Sequence, residues 1–228
     1  MLSEYFSALT RSRRSTRDFL STPIDSLVLK DILNEDLTAP SWSNLRPFMI
    51  GIASGEKRDR ISQALLTKLR SSADLPGMAA NPDYTHAEPY PAGLLERSQR
   101  FGKGLYDALG VQRSDTPGRF RFLERNYEFF GAPTVLFFFA HKGMANMGTL
   151  DLGLYMQTVM LAAKASGLGT CTQGMLARYP DIVKSEFDIG EDYALVCGMS
   201  IGFPSDHPIN NLKSERLPID NFLLEPRP

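Results

Sequence analysis

The chain has 228 residues, a formal net charge of -1 and 43% hydrophobic residues, so it can bury a single core without disulfides or metal. This balance gives no indication of a nucleic-acid or membrane surface, and the longest apolar stretch, residues 132–140, is too short to span a bilayer as a helix. Because the sequence lacks a signal-peptide pattern, a CxxC pair and histidines at metal-ligand spacing, we expect a cytoplasmic protein with reduced thiols, no metal, and no nucleic-acid or membrane partner.

The first part of the chain predicts helices around one strand. In chain order these are a short helix over residues 3–11, a helix capped by Asp25 and ending near Leu37, a turn-rich loop over 39–44, a buried strand over 48–53 and an amphipathic helix over 57–69. Residues 71–91 are rich in Pro, Ser and Asn, and long connections of this kind often serve as lids.

The second part predicts the remaining helices and strands. In chain order these are helices over residues 93–109 and 120–129, a strand over 134–140, a long helix over 148–165 with Thr149 as its N-cap, an extended segment over 170–175, a helix over 179–187 with Pro180 in its first turn, and a strand over 193–203. We see no repeat or domain linker, so we expect one α+β domain over residues 1–228, with residues 71–130 as a lid or insertion.

Two segments carry polar groups that suit a phosphorylated aromatic ligand. One holds three guanidiniums and two hydroxyls: Arg13, Arg14, Ser15, Thr16 and Arg17. Arginine binds phosphate through paired charge-assisted hydrogen bonds, and clustered cations repel each other unless an anion compensates. The loop over residues 40–48 offers hydroxyls and an amide to a heteroaromatic edge. A solvated basic loop and a generic turn explain these two patterns equally well when each is taken alone.

Taken in order, these segments resemble the nitroreductase family. The matching segments are residues 13–19 (its phosphate-binding motif), 39–48 (its A-P-S-x-x-N-x-Q-P-W loop), 131–133, 167–171 and 214–218 (its C-terminal basic motif). Residues 106–110, 125–133, 170–173 and 196–199 are similar to the nitrobenzoate-reductase-like branch. Two positions depart from the family pattern: Arg46 stands where Gln is common, and Ser214 stands where Lys is frequent.

The resemblance implies a mixed sheet flanked by helices in an intertwined homodimer with FMN between the subunits. The apolar helix over 148–165 agrees with this, because it has more apolar faces than one sheet needs. The implied activity is an FMN-dependent NAD(P)H oxidoreductase that reduces nitroaromatic or quinone-like acceptors by a ping-pong hydride mechanism. No catalytic side chain is implied, since flavin N5 is the reactive centre. The alternatives are dehalogenation, flavin fragmentation or azoline oxidation on the same scaffold, and a non-catalytic flavin-binding protein.

The resemblance also assigns binding residues position by position. It implies that the FMN phosphate and ribityl chain are held by Arg13, Arg14, Ser15, Arg17, Ser214 and Arg216. The loop that borders the flavin from the partner subunit comprises Pro40, Ser41, Trp42 and Asn44. The segment whose backbone N–H points at flavin N5 comprises Thr172, Gln173, Gly174 and Met175. The resemblance places a further segment near the flavin of the partner subunit. Its aromatic residues, expected either to line the substrate pocket or to belong to the core, are Phe101, Tyr106, Tyr127 and Phe129.

Overall fold

The computed structural model describes residues 1–71, 81–85 and 90–224. Its helices are α1 (Leu2–Ser12), α2 (Ser26–Glu35), α3 (Gly55–Ser71), α4 (Ala92–Ala108), α5 (Thr116–Tyr127), α6 (Ala145–Ala165) and α7 (Pro180–Lys184). Its strands are β1 (Phe48–Ser54), β2 (Thr134–His141), β3 (Gly169–Gln173) and β4 (Tyr193–Gly202). None of the helices in these ranges is long and apolar enough to cross a membrane.

The strands form one sheet in the order β1-β2-β4-β3. Each neighbouring pair of these strands is antiparallel, with Phe48 opposite Ala140 and Cys171 opposite Ser200. A parallel bridge joins Ser15 to Thr170. The sheet is therefore mixed only where the segment that follows α1 meets β3.

Both faces of the sheet are covered, which explains the uninterrupted apolar run of β2. Successive side chains of a strand point to opposite faces. One face packs Val135, Phe137 and Phe139 against residues of α3 and α5, including Ile61, Leu65 and Tyr127. The other face packs Leu136, Phe138 and Ala140 against residues of α2 and α6, including Ile32, Leu152 and Tyr155. A strand buried on both sides needs apolar residues at every position rather than at every second one.

The α+β fold predicted from the sequence is confirmed, and two helix starts differ from the prediction. Helix α6 begins at Ala145, so Thr149 lies inside the helix and donates to the Asn146 carbonyl at 3.0 Å. The prediction of Thr149 as N-cap was wrong. Helix α5 begins before residue 120 because Asp115 caps it, accepting from the Gly118 N–H at 2.9 Å.

The predicted connection over residues 71–91 falls largely on residues 72–80 and 86–89, which lie outside the described part of the chain. Residues 81–85 within it are anchored to the sheet. The Asp83 carboxylate accepts from the Leu195 N–H at 2.7 Å and pairs with Lys184 at 2.7 Å. This anchor holds the middle of the connection against β4 and α7.

Candidate active site

The arginine-rich segment after α1 is held along the edge of the sheet. The Thr16 N–H donates to the Thr170 carbonyl at 2.9 Å, beside the bridge at Ser15. This close approach requires a glycine at position 169, because a Cβ there would lie 2.3 Å from the Thr16 hydroxyl oxygen. The backbone of residues 13–17 is thereby fixed against β3.

The predicted phosphate-binding residues converge on one basic cavity of about 450 Å³. It is lined by Arg13, Arg14, Ser15 and Arg17 together with Ser214 and Arg216. Burial and the nearby positive charge of Arg216 lower the pKa of the Arg13 guanidinium below its ordinary value. Two cations thus share a partly desolvated space, an arrangement that a bound anion would stabilise. We call this space the basic cavity.

The side chains of Arg216 and Arg17 are held by different contacts. The Arg216 Nη1 donates to the Ser214 hydroxyl and to the Ser214 carbonyl, the latter at 3.1 Å. The Ser214 side chain therefore orients the guanidinium at the position where the resemblance leads one to expect a lysine. Arg17 lies over the ring of Phe101 on α4, with its Cζ 5.6 Å from the ring centroid. Phe101 forms a wall of the basic cavity.

A second cavity of about 290 Å³ shares Arg17 with the basic cavity. We call it the aromatic cavity, since Tyr106 and Phe122 line it together with Thr172, Gln173 and Met175. A further cavity of about 730 Å³ shares Tyr106 with it and lies along α4 and the turn to α5. By volume alone the cavity of about 730 Å³ would be the best candidate for the site. The segments with the predicted binding residues, however, line the basic and aromatic cavities.

The Gln173 side chain is buried and hydrogen-bonded within the protein interior. It is only 3% exposed, accepts from the buried Ser200 hydroxyl and donates to the Asn126 carbonyl at 2.9 Å. These bonds fix the end of β3 and leave the backbone of residues 172–175 as the part that can face a ligand. At Gly174 an added Cβ would meet no atom within 4 Å, so space is open there.

Residues 10–203 match the model of the nitroreductase family. The chain belongs to that family. It is 34% identical over 217 residues to a 4-nitrobenzoate reductase of Pseudomonas putida, covering 95% of this chain and 93% of that protein. It is 32% identical to a chloronitrobenzene nitroreductase of Comamonas testosteroni, covering 96% of each. The solved FMN-dependent nitroreductase NfnB of Mycobacterium smegmatis in complex with NADPH superposes with a TM-score of 0.91 at 30% identity, covering 100% of both chains.

The family match ends at residue 203, before Ser214 and Arg216. The meeting of Arg216 with Arg13 is therefore an observation of this structure, independent of the family match. The fold and the family expected from the sequence are both confirmed. The binding role of each residue remains a prediction, because the comparisons do not test individual positions.

Of the four aromatic residues predicted for the substrate pocket of this nitroreductase, two reach a cavity. Phe101 and Tyr106 line the basic and aromatic cavities respectively. The assignment of Tyr127 and Phe129 to the pocket requires correction, because both side chains are 0% exposed and belong to the core. Burial raises the pKa of Tyr127, as expected for a phenol enclosed by apolar groups.

Local geometry explains why Phe129 turns inward. The residues after α5 form a tight turn in which Phe129 and Phe130 have φ of 56° and 55°. Arg58 closes this turn by donating to the Glu128 carbonyl at 2.7 Å and to the Ala132 carbonyl at 3.2 Å. Phe122 was not predicted and lines the aromatic cavity. It lies one helical turn before Asn126, which also lines that cavity, and no sequence signal singled out either residue.

The predicted loop with Pro40, Ser41, Trp42 and Asn44 lies apart from the basic cavity of its own chain, since no described residue of this loop lines that cavity. Its anchor is Asp151 on α6, whose two carboxylate oxygens accept from the Trp42 N–H at 3.1 and 3.0 Å. Asp151 was not predicted from the sequence, although a lone carboxylate in a long apolar helix indicates a specific polar contact.

Arg46 stabilises the same loop from within. Its Nη2 donates to the Leu37 carbonyl at 2.9 Å, and its Nη1 hydrogen-bonds the Asn44 side chain. The departure from the common glutamine at this position therefore gives the loop an internal clamp. That clamp holds residues with positive φ, namely Ser43, Asn44 and Arg46.

Proposed function

We propose that this nitroreductase-family chain is an FMN-dependent NAD(P)H oxidoreductase that reduces nitroaromatic or quinone-like acceptors. The observation that carries the proposal is the convergence of Arg13, Arg14 and Arg17 with Arg216 on one cavity. The names of the similar proteins, two reductases of nitroaromatic compounds and a nitroreductase in complex with NADPH, support the same activity.

The donor set fits the phosphate of FMN. Guanidiniums bind phosphate in paired charge-assisted hydrogen bonds, and the hydroxyls of Ser15 and Ser214 add further donors. Burial first and the charge of Arg216 second lower the pKa of Arg13, and a phosphate dianion would compensate both. The aromatic cavity beside it, joined through Arg17, offers flat side chains to a ring system.

FMN, when bound, supplies hydride transfer chemistry at its N5 atom. The protein's own part is to bind, orient and shield. Arg17 places positive charge between the two cavities, and the backbone of residues 172–175, fixed by Gln173, offers hydrogen-bond donors. Tyr106 and Phe122 provide flat walls to the aromatic cavity. We expect the nicotinamide donor and the acceptor to use this cavity in turn, so their kinetics should be ping-pong.

We also propose that the chain works as a homodimer. Helix α6 exposes Leu150 and Leu154, which are 55% and 40% exposed and lie one turn apart. Strand β1 exposes Met49 and Ile52 at the edge of the sheet. Large apolar side chains exposed at a helix surface and at a sheet edge are often covered in subunit interfaces. Because Asp151 anchors the loop at Trp42 on the same helix, a second copy packed there would bring that loop toward its partner's site.

We further propose one domain in which residues 71–130 cover the site. Within that segment α4 supplies Phe101 and Tyr106, and α5 supplies Phe122, to the cavity walls. We place the enzyme in the cytoplasm, where nicotinamide nucleotides are kept reduced and the two buried cysteines stay as thiols.

The decisive experiment is reconstitution of the purified protein with FMN, followed by NADH or NADPH and a nitroaromatic acceptor such as 4-nitrobenzoate. We expect flavin absorbance that bleaches on anaerobic addition of the nucleotide and returns with the acceptor. A protein that stays colourless after FMN addition would contradict the proposal. FMN binding without turnover of nitroaromatic or quinone acceptors would favour another reaction on this scaffold or a non-catalytic flavin-binding protein.

A further inference from the structure

Asn210 connects two parts of the chain that meet at the basic cavity. It lies within a short turn after β4, Pro208–Asn211, and its side-chain amide makes three hydrogen bonds. Its Oδ1 accepts from the Arg17 N–H at 2.8 Å, and its Nδ2 donates to the carbonyls of Asp18 at 2.8 Å and Ser205 at 3.0 Å. These partners fix the orientation of the amide, because a flipped amide would place its NH₂ group against an N–H and its oxygen against two carbonyls.

The main chain of Asn210 makes a fourth contact. Its carbonyl accepts from the Arg14 Nη1 at 3.3 Å. One residue therefore holds the side chain of Arg14 and the backbone of Arg17, and both arginines line the basic cavity. The segment that follows it contributes Ser214 and Arg216 to the opposite part of the same lining.

We propose that Asn210 is a positioning residue for the arginines that bind the FMN phosphate, an inference that rests on the function proposed above. Clustered guanidiniums repel each other, so without a scaffold they would spread into solvent and lose order. Hydrogen bonds that fix Arg14 and the Arg17 backbone before the ligand arrives reduce the ordering cost of binding. Asn210 makes these bonds from outside the basic cavity, which it does not line.

The uncharged amide of Asn210 suits a residue that positions arginines without binding their charge. It satisfies a backbone N–H and two carbonyls and brings no negative charge to the cavity. A carboxylate at this position could still accept from the Arg17 N–H, but it would pair with the arginines and compete with phosphate. The neighbouring carboxylate of Asp18 is engaged by Arg125 and the Ser205 hydroxyl, both at 2.5 Å. The positive charge of the arginines therefore remains available to an anion.

The test compares FMN with riboflavin, which has the same ring and ribityl chain without the phosphate. Dissociation constants of both flavins are measured by fluorescence quenching for the wild type, Asn210→Ala, Asn210→Asp and the control Asn211→Ala, which changes the adjacent exposed residue. We expect Asn210→Ala to lower the preference for FMN over riboflavin about tenfold, because loss of the three side-chain hydrogen bonds frees both the Arg17 backbone and the residue 210 carbonyl that accepts from Arg14. Asn210→Asp should lower it at least as much, and Asn211→Ala should leave it unchanged.

A double-mutant cycle separates positioning from general stability. In an Arg14→Ala background the Asn210→Ala change should cost clearly less FMN affinity, because part of its effect acts through Arg14. A lower melting temperature with an unchanged preference for FMN would overturn the inference, as would an equal loss in Asn211→Ala. If Asn210→Ala does not fold, an unchanged preference in Asn210→Asp overturns it instead. Wild-type protein that binds neither flavin would overturn the proposed function as well.

Discussion

Replacing Arg216 by alanine is expected to act in opposite directions on the flavin-free and the FMN-bound protein. In the flavin-free protein the guanidinium adds positive charge beside the partly buried Arg13, whose lowered pKa reflects burial first and then this neighbour. Removing it relieves the repulsion. In the FMN-bound protein the same change removes a donor from the proposed phosphate site. If Arg216 served only the fold, replacing it would destabilise both the flavin-free and the FMN-bound protein.

The two effects differ in size. Arg216 is exposed, so solvent screens its repulsion with Arg13, and we expect the flavin-free protein to gain less than about 1 kcal/mol in free energy of unfolding. A hydrogen bond to a charged group contributes about 1–3 kcal/mol. The dissociation constant for FMN should therefore rise by about 5–150-fold. Salt should reduce both effects, since Arg216 faces solvent.

The assay is thermal unfolding with and without FMN, together with a fluorescence titration of FMN. A ligand that binds only the folded protein stabilises it by about 2.7 kcal/mol at a hundredfold excess over its dissociation constant. We expect Arg216→Ala to lose much of this increment while its flavin-free melting temperature stays equal or rises. Lys30→Ala, which removes the same charge from α2, serves as control and should change neither value. Unchanged FMN affinity with a lower flavin-free melting temperature would refute this reasoning.

Three further sets of measurements test separate parts of the structure: the buried thiols, the anchor at Asp151 and the exposed face of α6. Burial raises the pKa of Cys171 to about 11 and that of Cys197 to about 12, so Ellman's reagent at pH 8 should label both thiols only after unfolding. Because unfolded thiols ionise first, stability should fall above about pH 9, by up to about 1.4 kcal/mol per thiol per pH unit in urea titrations. Asp151→Ala should cost about 1–3 kcal/mol in urea unfolding by leaving the Trp42 N–H without its acceptor, whereas full stability would contradict the anchor. Leu154→Glu should shift a dimer to monomer in sedimentation analysis, and an unchanged mass would exclude that face from the interface.

The elements best predicted from the sequence were those with a strong local pattern. Strand β2 was predicted because a short run of Val, Leu and Phe suits a strand buried on both faces, and both faces are indeed covered. The start of α6 was missed because its N-cap, Met144, makes no side-chain capping hydrogen bond. The prediction therefore used the first hydroxyl suited to capping, Thr149, which lies inside the helix.

The candidate site depended on contacts that no local pattern reveals. The basic character of residues 13–17 was visible in the sequence. That Arg216 belongs with them was expected only from the family resemblance, and the fold shows the two arginines Arg13 and Arg216 close together. Asn210 gave no signal, since its importance lies in partners nearly two hundred positions away. Tyr127 and Phe129 were misplaced because the resemblance of a whole segment does not say which of its aromatic side chains face a cavity. A turn with positive φ also redirects the ring of Phe129.

The long separation of the two halves of the basic cavity has a consequence for synthesis of the protein. Arg14 and its hydrogen-bond partner Asn210 are 196 residues apart. At typical translation rates of about 5–20 residues per second, roughly 10–40 s pass before the second half exists. A chain that is still being synthesised therefore lacks the C-terminal part of the basic cavity, because Ser214 and Arg216 are added last. If the cavity binds FMN as proposed, premature termination before Arg216 would leave that site incomplete.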